Sequence, residues 1–168
     1  MKKVAVYPGT FDPITNGHLD LLARGLKIFD KVIIAVAHNP GKKPLFTLEE
    51  RLKMIEDTLA DSPLKERVII DSFEGLLVDY LKKVGAQVVL RGLRAVSDFE
   101  YEFQMALMNR KLSNEMETLF LMTGLRWIYI SSRLIKEVAQ AGGCVKGLVP
   151  EPVEDKLIKK LGPKGGNG

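Results

Sequence analysis

The sequence predicts an α/β fold in a single domain: a doubly wound sheet of five parallel strands with helices on both faces. Short apolar runs alternate with longer amphipathic runs along the chain, which is typical of parallel strands joined by crossover helices. The 168 residues suit one hydrophobic core, and the chain contains neither an internal repeat nor a linker that would divide it. A composition of 46% hydrophobic and 27% charged residues is ordinary for a globular protein.

Apolar and β-branched runs give the strands, and amphipathic runs between turn residues give the helices. The strands are predicted at 3–7, 31–37, 67–71, 87–90 and 118–122. The helices are predicted at 17–29, 47–60, 76–84, 97–112, 131–142 and 152–161. The Gly-rich residues 162–168 are predicted to form a disordered tail.

Local signals set the ends of several helices. Thr47 and Glu50 form a capping box that begins the second helix. Gly85 ends the third helix, since glycine readily adopts the left-handed conformation of a helix C-cap. Ser97 or Asp98 is expected to cap the fourth helix.

Candidate functional residues follow all five predicted strands. In doubly wound sheets, ligands bind beyond the carboxyl ends of the strands, where the strand order reverses. Since all these residues fall at that edge, we expect them to form one site. In strand order they are Thr10 and His18, then Lys42, then Leu76 and Leu77, then Arg91 and Arg94, and finally Ser131 and Ser132.

His18 is expected in the first turn of a helix that follows a turn rich in Gly and Pro. A helix N-terminus offers unpaired backbone N–H groups and the positive end of its dipole, and an imidazole there adds a donor. We therefore interpret His18 as a phosphate ligand, although a histidine that caps or packs at the helix start is the structural alternative. Two arginines at a strand end, Arg91 and Arg94, can likewise clamp phosphate through bidentate hydrogen bonds.

Other candidates keep two interpretations at this point. Lys42 and Lys43 either bind an anion or form a solvated pair in a loop. The serines Ser131 and Ser132 either hold a phosphate or cap a helix, and the two roles are compatible. The aromatic residues Trp127 and Tyr129, together in one loop, either belong to the core or line a base pocket.

Several classes of protein are disfavoured by the sequence. No apolar run approaches the roughly 20 residues of a membrane span, and neither a signal peptide nor a nucleic-acid-binding basic run is evident, so a cytoplasmic protein without nucleic-acid or membrane partners is expected. With one cysteine, Cys144, and two histidines, the chain has no disulfide and no zinc-ligand spacing. What remains is a set of phosphate binders with no evident protein nucleophile, which favours phosphoryl or nucleotidyl transfer.

Four blocks, taken in order, resemble the phosphopantetheine adenylyltransferase family of nucleotidyltransferases, which carry a (T/H)xGH motif. The blocks are YPGTFDPITNGH at 7–18, KKPLFTLEER at 42–51, RGLRAVSDFEYE at 91–102 and ISSRLIKE at 130–137. The resemblance extends over nearly the whole chain, from about Lys3 to Leu161. Two places depart from the family's pattern: Arg133 stands where a third serine is expected, and residues 123–126 differ.

The resemblance implies a Rossmann-like nucleotidyltransferase domain over residues 1–161. It implies a bacterial-type cytoplasmic enzyme that makes 3′-dephospho-coenzyme A and pyrophosphate from ATP and 4′-phosphopantetheine, the penultimate step of coenzyme A biosynthesis. It further implies Mg²⁺ carried with ATP rather than bound by protein ligands, a homohexamer, and feedback inhibition by coenzyme A.

The resemblance also assigns the site residues. The catalytic residues would be Thr10, His18, Lys42 and Arg91, and 4′-phosphopantetheine would contact Thr10, Lys42, Leu77 and Arg91. ATP would contact Thr10, Phe11, His18, Gly92, Leu93, Arg94, Glu102, Trp127, Ile128, Tyr129, Ile130, Ser131, Ser132 and Arg133. In the expected in-line displacement, His18 and Lys42 stabilise the α-phosphate. Arg94 and the helix end at Ser131 hold the β- and γ-phosphates.

Two rival functions remain. The first is another small nucleotidyltransferase, acting on nicotinamide mononucleotide or on a sugar or glycerol phosphate. The second is a non-catalytic nucleotide- or RNA-binding module with the same fold. The blocks at 91–94 and 98–102 favour phosphopantetheine, and the presence of Thr10, His18, Lys42 and Arg91 favours a working enzyme.

Overall fold

Five strands form one parallel sheet in a computed structural model that describes residues 3–39, 41, 43–94 and 96–162. The strands are β1 (Val4–Gly9), β2 (Lys31–His38), β3 (Val68–Glu74), β4 (Val88–Leu93) and β5 (Glu117–Met122). Their order is β3-β2-β1-β4-β5, so the predicted Rossmann-like, doubly wound sheet is confirmed. Lys42 and the predicted tail beyond Gly162 lie outside the described residues.

Six helices connect and cover these strands within the described ranges. They are α1 (Asn16–Gly25), α2 (Leu48–Leu59), α3 (Leu77–Val84), α4 (Val96–Leu112), α5 (Ser132–Gln140) and α6 (Glu151–Leu161). The capping box that begins α2 is present, with Thr47 N–H donating to Glu50 at 2.7 Å. Gly85 ends α3 with a φ of 67°, as predicted. In the part of the chain with known placement, no helix has the length and apolar character needed to span a bilayer.

Two predicted helix boundaries are wrong. α1 ends at Gly25, four residues before the predicted end, and a turn follows it. α4 begins at Val96, so Ser97 and Asp98 lie inside its first turn rather than at its cap. Instead of capping, the Asp98 carboxylate accepts a hydrogen bond from Arg94 Nε at 3.1 Å.

The strand β4 also runs further than its apolar pattern indicates. It pairs with β5 as far as Leu93, so Arg91 and Gly92 lie in the strand and not in a loop after it. Backbone pairing continues here although the apolar run ends at Leu90, since a ladder needs N–H and C=O groups and not apolar side chains.

Two hydrophobic clusters hold the helices to opposite faces of the sheet. One contains Leu22 of α1, Ile55 of α2, Ile135 of α5 and Leu157 of α6, each almost fully buried. The other contains Leu81 of α3 and the opposite-facing residues of the central strands. Burial of each such side chain contributes about 1.5–3 kcal/mol to the free energy of folding. This packing fixes the helices relative to the carboxyl ends of the strands.

The strands β1 and β4 separate at their carboxyl ends. Their ladder consists of two residue pairs, Ala5 with Val88 and Val6 with Val89. On the other side of β1, pairing with β2 continues to Gly9. A gap therefore opens between β1 and β4, at the switch point where this fold class binds ligands.

Candidate active site

Two cavities meet at the gap between β1 and β4. A polar cleft of about 430 Å³ lies toward α1 and α5, and a groove of about 720 Å³ lies toward α3 and α4. Both are lined by Pro8, Gly9, Thr10, Arg91 and Glu102, so these residues mark the junction.

Most of the predicted site residues line one or both cavities. Those that line the cleft are Thr10, Phe11, His18, Arg91, Gly92, Arg94, Glu102, Trp127, Ile130, Ser131, Ser132 and Arg133. The predicted phosphopantetheine contacts Thr10, Leu77 and Arg91 line the groove. Leu93, Ile128 and Tyr129 line neither cavity among the described residues, and Tyr129 is 61% exposed. Contacts of these three residues with a nucleotide therefore stay predictions without a geometric basis.

His18 takes part in a capping box at the start of α1. The Thr15 backbone N–H donates to His18 Nδ1 at 2.9 Å, and the Thr15 side chain accepts from the His18 backbone N–H at 3.4 Å. An Nδ1 that accepts a hydrogen bond carries no proton, so the neutral ring has its proton on Nε2. The predicted capping role and the predicted phosphate-binding role are thus compatible, because they use different ring nitrogens.

The surroundings of the His18 ring favour its neutral form. The ring is half-buried and packs edge-on against Phe11, with centroids 5.0 Å apart. Burial, together with the positive charges of Arg94 and Arg91, lowers the pKa of His18 from 6.5 to about 4. At neutral pH this side chain is a fixed hydrogen-bond donor and not a proton carrier.

Arg91 crosses the gap between the separated strands. Its guanidinium donates to the Pro8 carbonyl oxygen at 2.8 Å and forms a bidentate ion pair with Glu102 on α4, through Nε at 2.7 Å and through Nη2. Burial alone would lower the pKa of Arg91, but the hydrogen bonds that Arg91 donates to Glu102 and the negative charge of that carboxylate raise the pKa above its ordinary value. Of the five N–H groups of a guanidinium, three are used in these contacts, and the others remain for a ligand.

At the α5 end of the cleft, side chains form hydrogen bonds with backbone groups. Ser131 is the N-cap of α5, since its side chain accepts from Leu134 N–H at 3.1 Å. Ser132 Oγ donates to the Pro13 carbonyl oxygen at 2.7 Å, and Arg94 Nη1 donates to the Ile130 carbonyl oxygen at 3.1 Å. The N-capping interpretation of Ser131 is correct, and the N-terminus of α5 faces the same cleft as that of α1.

Three charged residues of the site were given no role by the sequence. Arg51 is 2% exposed and donates to the carbonyl oxygens of Thr10 at 2.7 Å and Ala37 at 3.0 Å. Asp12 is 4% exposed and pairs with Lys136 of α5 at 2.7 Å. Their places inside the four blocks that resemble the family were the available signal, but charged residues are usually exposed, so the burial of Arg51 and Asp12 could not be predicted.

The carboxylates that line the cleft are a poor fit for a metal held by the protein. They are Asp12, Asp98 and Glu102, and each contacts a basic side chain. Among the described residues, no cluster of three or more His, Cys, Asp or Glu side chains has a metal-binding arrangement.

We predict that the ring of His18 titrates with a midpoint near pH 4 in the ligand-free protein. The folded-state pKa is depressed, so His18 contributes stability above about pH 6.5, and that contribution is lost as the pH falls toward 4. Proton NMR of the ring, with His38→Gln leaving a single histidine to assign, measures the midpoint. Nitrogen-15 shifts should report the Nε2–H tautomer. A midpoint near 6.5, or an Nδ1–H tautomer, would contradict the hydrogen bond from Thr15.

Comparison with known proteins identifies the family. The cytidylyltransferase-like family matches residues 6–138. A phosphopantetheine adenylyltransferase from Desulfosudis oleivorans is 57% identical over 160 residues, which is 95% of this chain and 94% of that protein. One from Carboxydothermus hydrogenoformans is 60% identical over 163 residues, which is 97% of this chain and 99% of that protein.

A solved structure shares the fold at low identity. It is the crystal structure of a bifunctional NMN adenylyltransferase/ADP ribose pyrophosphatase from Francisella tularensis, complexed with AMP and a manganese ion. The TM-score is 0.69 at 19% identity, and the match covers 95% of this chain but 49% of that one. This likeness supports the fold, whereas the long matches above 50% identity settle the family: the chain belongs to the phosphopantetheine adenylyltransferases, within the cytidylyltransferase-like nucleotidyltransferases.

Proposed function

We propose that this protein transfers the adenylyl group of ATP to 4′-phosphopantetheine by direct in-line displacement, giving 3′-dephospho-coenzyme A and pyrophosphate. One observation carries the mechanistic part of this proposal. A polar cleft and a largely apolar groove meet at Thr10 and Arg91, so two substrates of different chemistry can be held with their phosphates adjacent. Such positioning can supply a large share of the rate enhancement.

The cleft suits the triphosphate of ATP. The N-termini of α1 and α5 both face it, and each offers unpaired N–H groups and a positive dipole end. Arg94 adds a guanidinium fixed by Asp98 and by the Ile130 carbonyl oxygen. We assign the β- and γ-phosphates to Arg94 and the α5 terminus, and the base to the region of Trp127.

The groove suits the pantetheine arm of the acceptor. Its walls include Phe73, Leu77, Met105 and Met108, which can pack against an unbranched chain, and Asn109, which can bond an amide. At its inner end, Thr10 and Arg91 would hold the acceptor phosphate. Coenzyme A carries the same arm, so its expected inhibition would act in this groove.

The chemical step needs no protein nucleophile. A phosphate oxygen of 4′-phosphopantetheine attacks the α-phosphorus of ATP, the bond to the bridging oxygen breaks, and pyrophosphate leaves with the electron pair. The Nε2–H of His18 donates to the α-phosphate, where negative charge grows. Lys42, outside the described residues, is assigned to the same charge on the family resemblance alone.

Mg²⁺ is proposed to arrive with ATP. Because the cleft carboxylates are paired with basic side chains, we assign the ion to phosphate and water oxygens and to none of these residues. It would neutralise part of the charge on the triphosphate. A cytoplasmic location is proposed together with these substrates.

A homohexamer is proposed on the family resemblance, and exposed apolar residues on α4 support association between copies of the chain. Phe99 and Phe103 stack with centroids 5.6 Å apart and are both exposed, as is Leu107. Contiguous exposed apolar patches of this kind mark interaction sites.

We predict pyrophosphate release from ATP with 4′-phosphopantetheine as acceptor, and little release with nicotinamide mononucleotide or glycerol phosphate. The groove is long and apolar, whereas those acceptors are short and polar. A coupled pyrophosphate assay with each acceptor in turn measures this. Turnover with nicotinamide mononucleotide alone would support the rival transferase, and nucleotide binding without turnover would support a non-catalytic module.

We predict that His18→Ala lowers kcat by about 10²-fold or more, because a donor that strengthens its bond in the transition state is lost. His18→Gln, which carries an N–H donor at a similar distance from the backbone, should fall between His18→Ala and the wild type. Thermal unfolding of each variant checks folding. Near-wild-type turnover in folded His18→Ala would remove His18 from the mechanism.

We predict a particle of six times the 18.7 kDa chain mass in solution. A negative charge placed in an apolar interface is costly, so Phe103→Glu should yield smaller particles. Ile28→Glu changes an equally exposed apolar residue outside α4 and serves as the control. Multi-angle light scattering measures both variants, and an unchanged mass for Phe103→Glu would exclude α4 from the interface.

A further inference from the structure

Asp12 collects three hydrogen-bond donors although it is almost fully buried. Its Oδ1 accepts from Phe46 N–H at 2.9 Å, and its Oδ2 accepts from Leu45 N–H at 2.9 Å and from Lys136 Nζ at 2.7 Å. The side chain exposes 4% of its surface. A buried carboxylate is tolerated when such partners replace its lost hydration.

The three donors come from two distant parts of the chain. Leu45 and Phe46 precede the N-cap of α2 and end the connection that follows β2. Lys136 lies on α5, about one turn after the serines that line the nucleotide cleft. Asp12 itself lines the cleft, two residues after Thr10, which lies at the junction of the two cavities. One carboxylate thus ties the loop after β1, the connection after β2 and the helix after β5.

We infer that Asp12 is a positioning residue that couples the acceptor half of the site to the nucleotide half. Through Leu45 and Phe46 it holds the residues that lead into α2, and through Lys136 it holds α5 against the cleft. The acceptor ligand Lys42, a few residues earlier in the sequence, is assigned by the family resemblance alone. The inference rests on the proposed function for the meaning of the two halves. Asp12 does not touch either substrate in this role.

The charge of Asp12 is required as well as its shape. Asparagine is isosteric, but its Nδ2 is a donor, so at one of the two carboxylate oxygen positions the donors of Leu45, Phe46 or Lys136 would meet another donor instead of an acceptor. The substitution leaves Lys136 without its counter-ion and leaves one backbone N–H without a partner in a buried place.

Lys136 has a second possible role, which must be separated from the first. Its ammonium lines the cleft and could contact the triphosphate directly. In that case Asp12→Asn would free the ammonium and leave the KM for ATP unchanged or lower. If Lys136 instead acts through Asp12, the same substitution raises that KM.

The test compares Asp12→Asn, Lys136→Met, the double variant and wild-type protein in the pyrophosphate assay. We expect Asp12→Asn to raise the KM for both substrates by about fivefold or more and to lower kcat, since misplacement by about an ångström has large kinetic effects. Lys136→Met should raise the KM for ATP similarly and leave that for 4′-phosphopantetheine within about twofold, because the backbone bonds of Asp12 persist. The double variant should be no worse for ATP than Asp12→Asn.

Hydrogen exchange supplies a readout that does not depend on activity. Amide exchange in the peptide spanning 43–47 should accelerate in Asp12→Asn and stay at the wild-type rate in Lys136→Met. The control is Asp57→Asn, which breaks ion pairs with Lys53 and Lys156 away from both cavities. It should keep both KM values and the exchange rate of 43–47.

The outcomes separate this inference from the proposed function. Wild-type protein without turnover of 4′-phosphopantetheine refutes the proposed function, while the exchange result still tests the bracing by Asp12. Folded Asp12→Asn with unchanged KM values, or a double variant much worse for ATP than either single one, overturns the positioning role. If Asp12→Asn shows no thermal transition, Lys136→Met decides: an unchanged KM for ATP overturns the inference.

Discussion

The site depends on the separation of β1 from β4 after two residue pairs. A gap between neighbouring strands leaves backbone polar groups without ladder partners, and such groups must be satisfied in another way. Here the Arg91 guanidinium supplies the Pro8 carbonyl oxygen with a donor, and Glu102 neutralises the arginine. The Pro8 carbonyl oxygen thus has a partner although it has left the ladder, and Arg91 lines both cavities.

The N-termini of α1 and α5 both face the cleft that opens at this gap. Buried charged side chains hold the segments that follow β1 and β2. Arg51 binds the carbonyl oxygens of Thr10 and Ala37, and Asp12 binds the backbone N–H groups of Leu45 and Phe46. Near the ends of β1 and β2, Arg51 thus donates to backbone carbonyl oxygens, and Asp12 accepts from backbone N–H groups. Loops held in this way are preorganised, which is the condition under which fixed dipoles stabilise a transition state without reorganising.

The sequence predicted the sheet, its helices and the edge that carries the site, because apolar periodicity and the rule for strand ends act locally or follow from topology. It did not predict that β4 continues through Arg91 and Gly92, since hydrogen bonding to β5 leaves no trace in side-chain polarity. Nor did it predict the burial of Asp12 and Arg51, whose partners are mostly backbone groups from distant segments. Nor did it predict the φ of 47° at Phe11, because positive φ values are rare for bulky residues.

The hydrogen bond from Thr15 N–H to His18 Nδ1 bears on both directions of the proposed reaction. In the proposed mechanism, a histidine that keeps the same proton throughout would act in the same form in the forward and the reverse step, because its donor would contact the same α-phosphate in both. Such a donor would lower the activation free energy by the same amount in both directions and would leave the equilibrium constant unchanged.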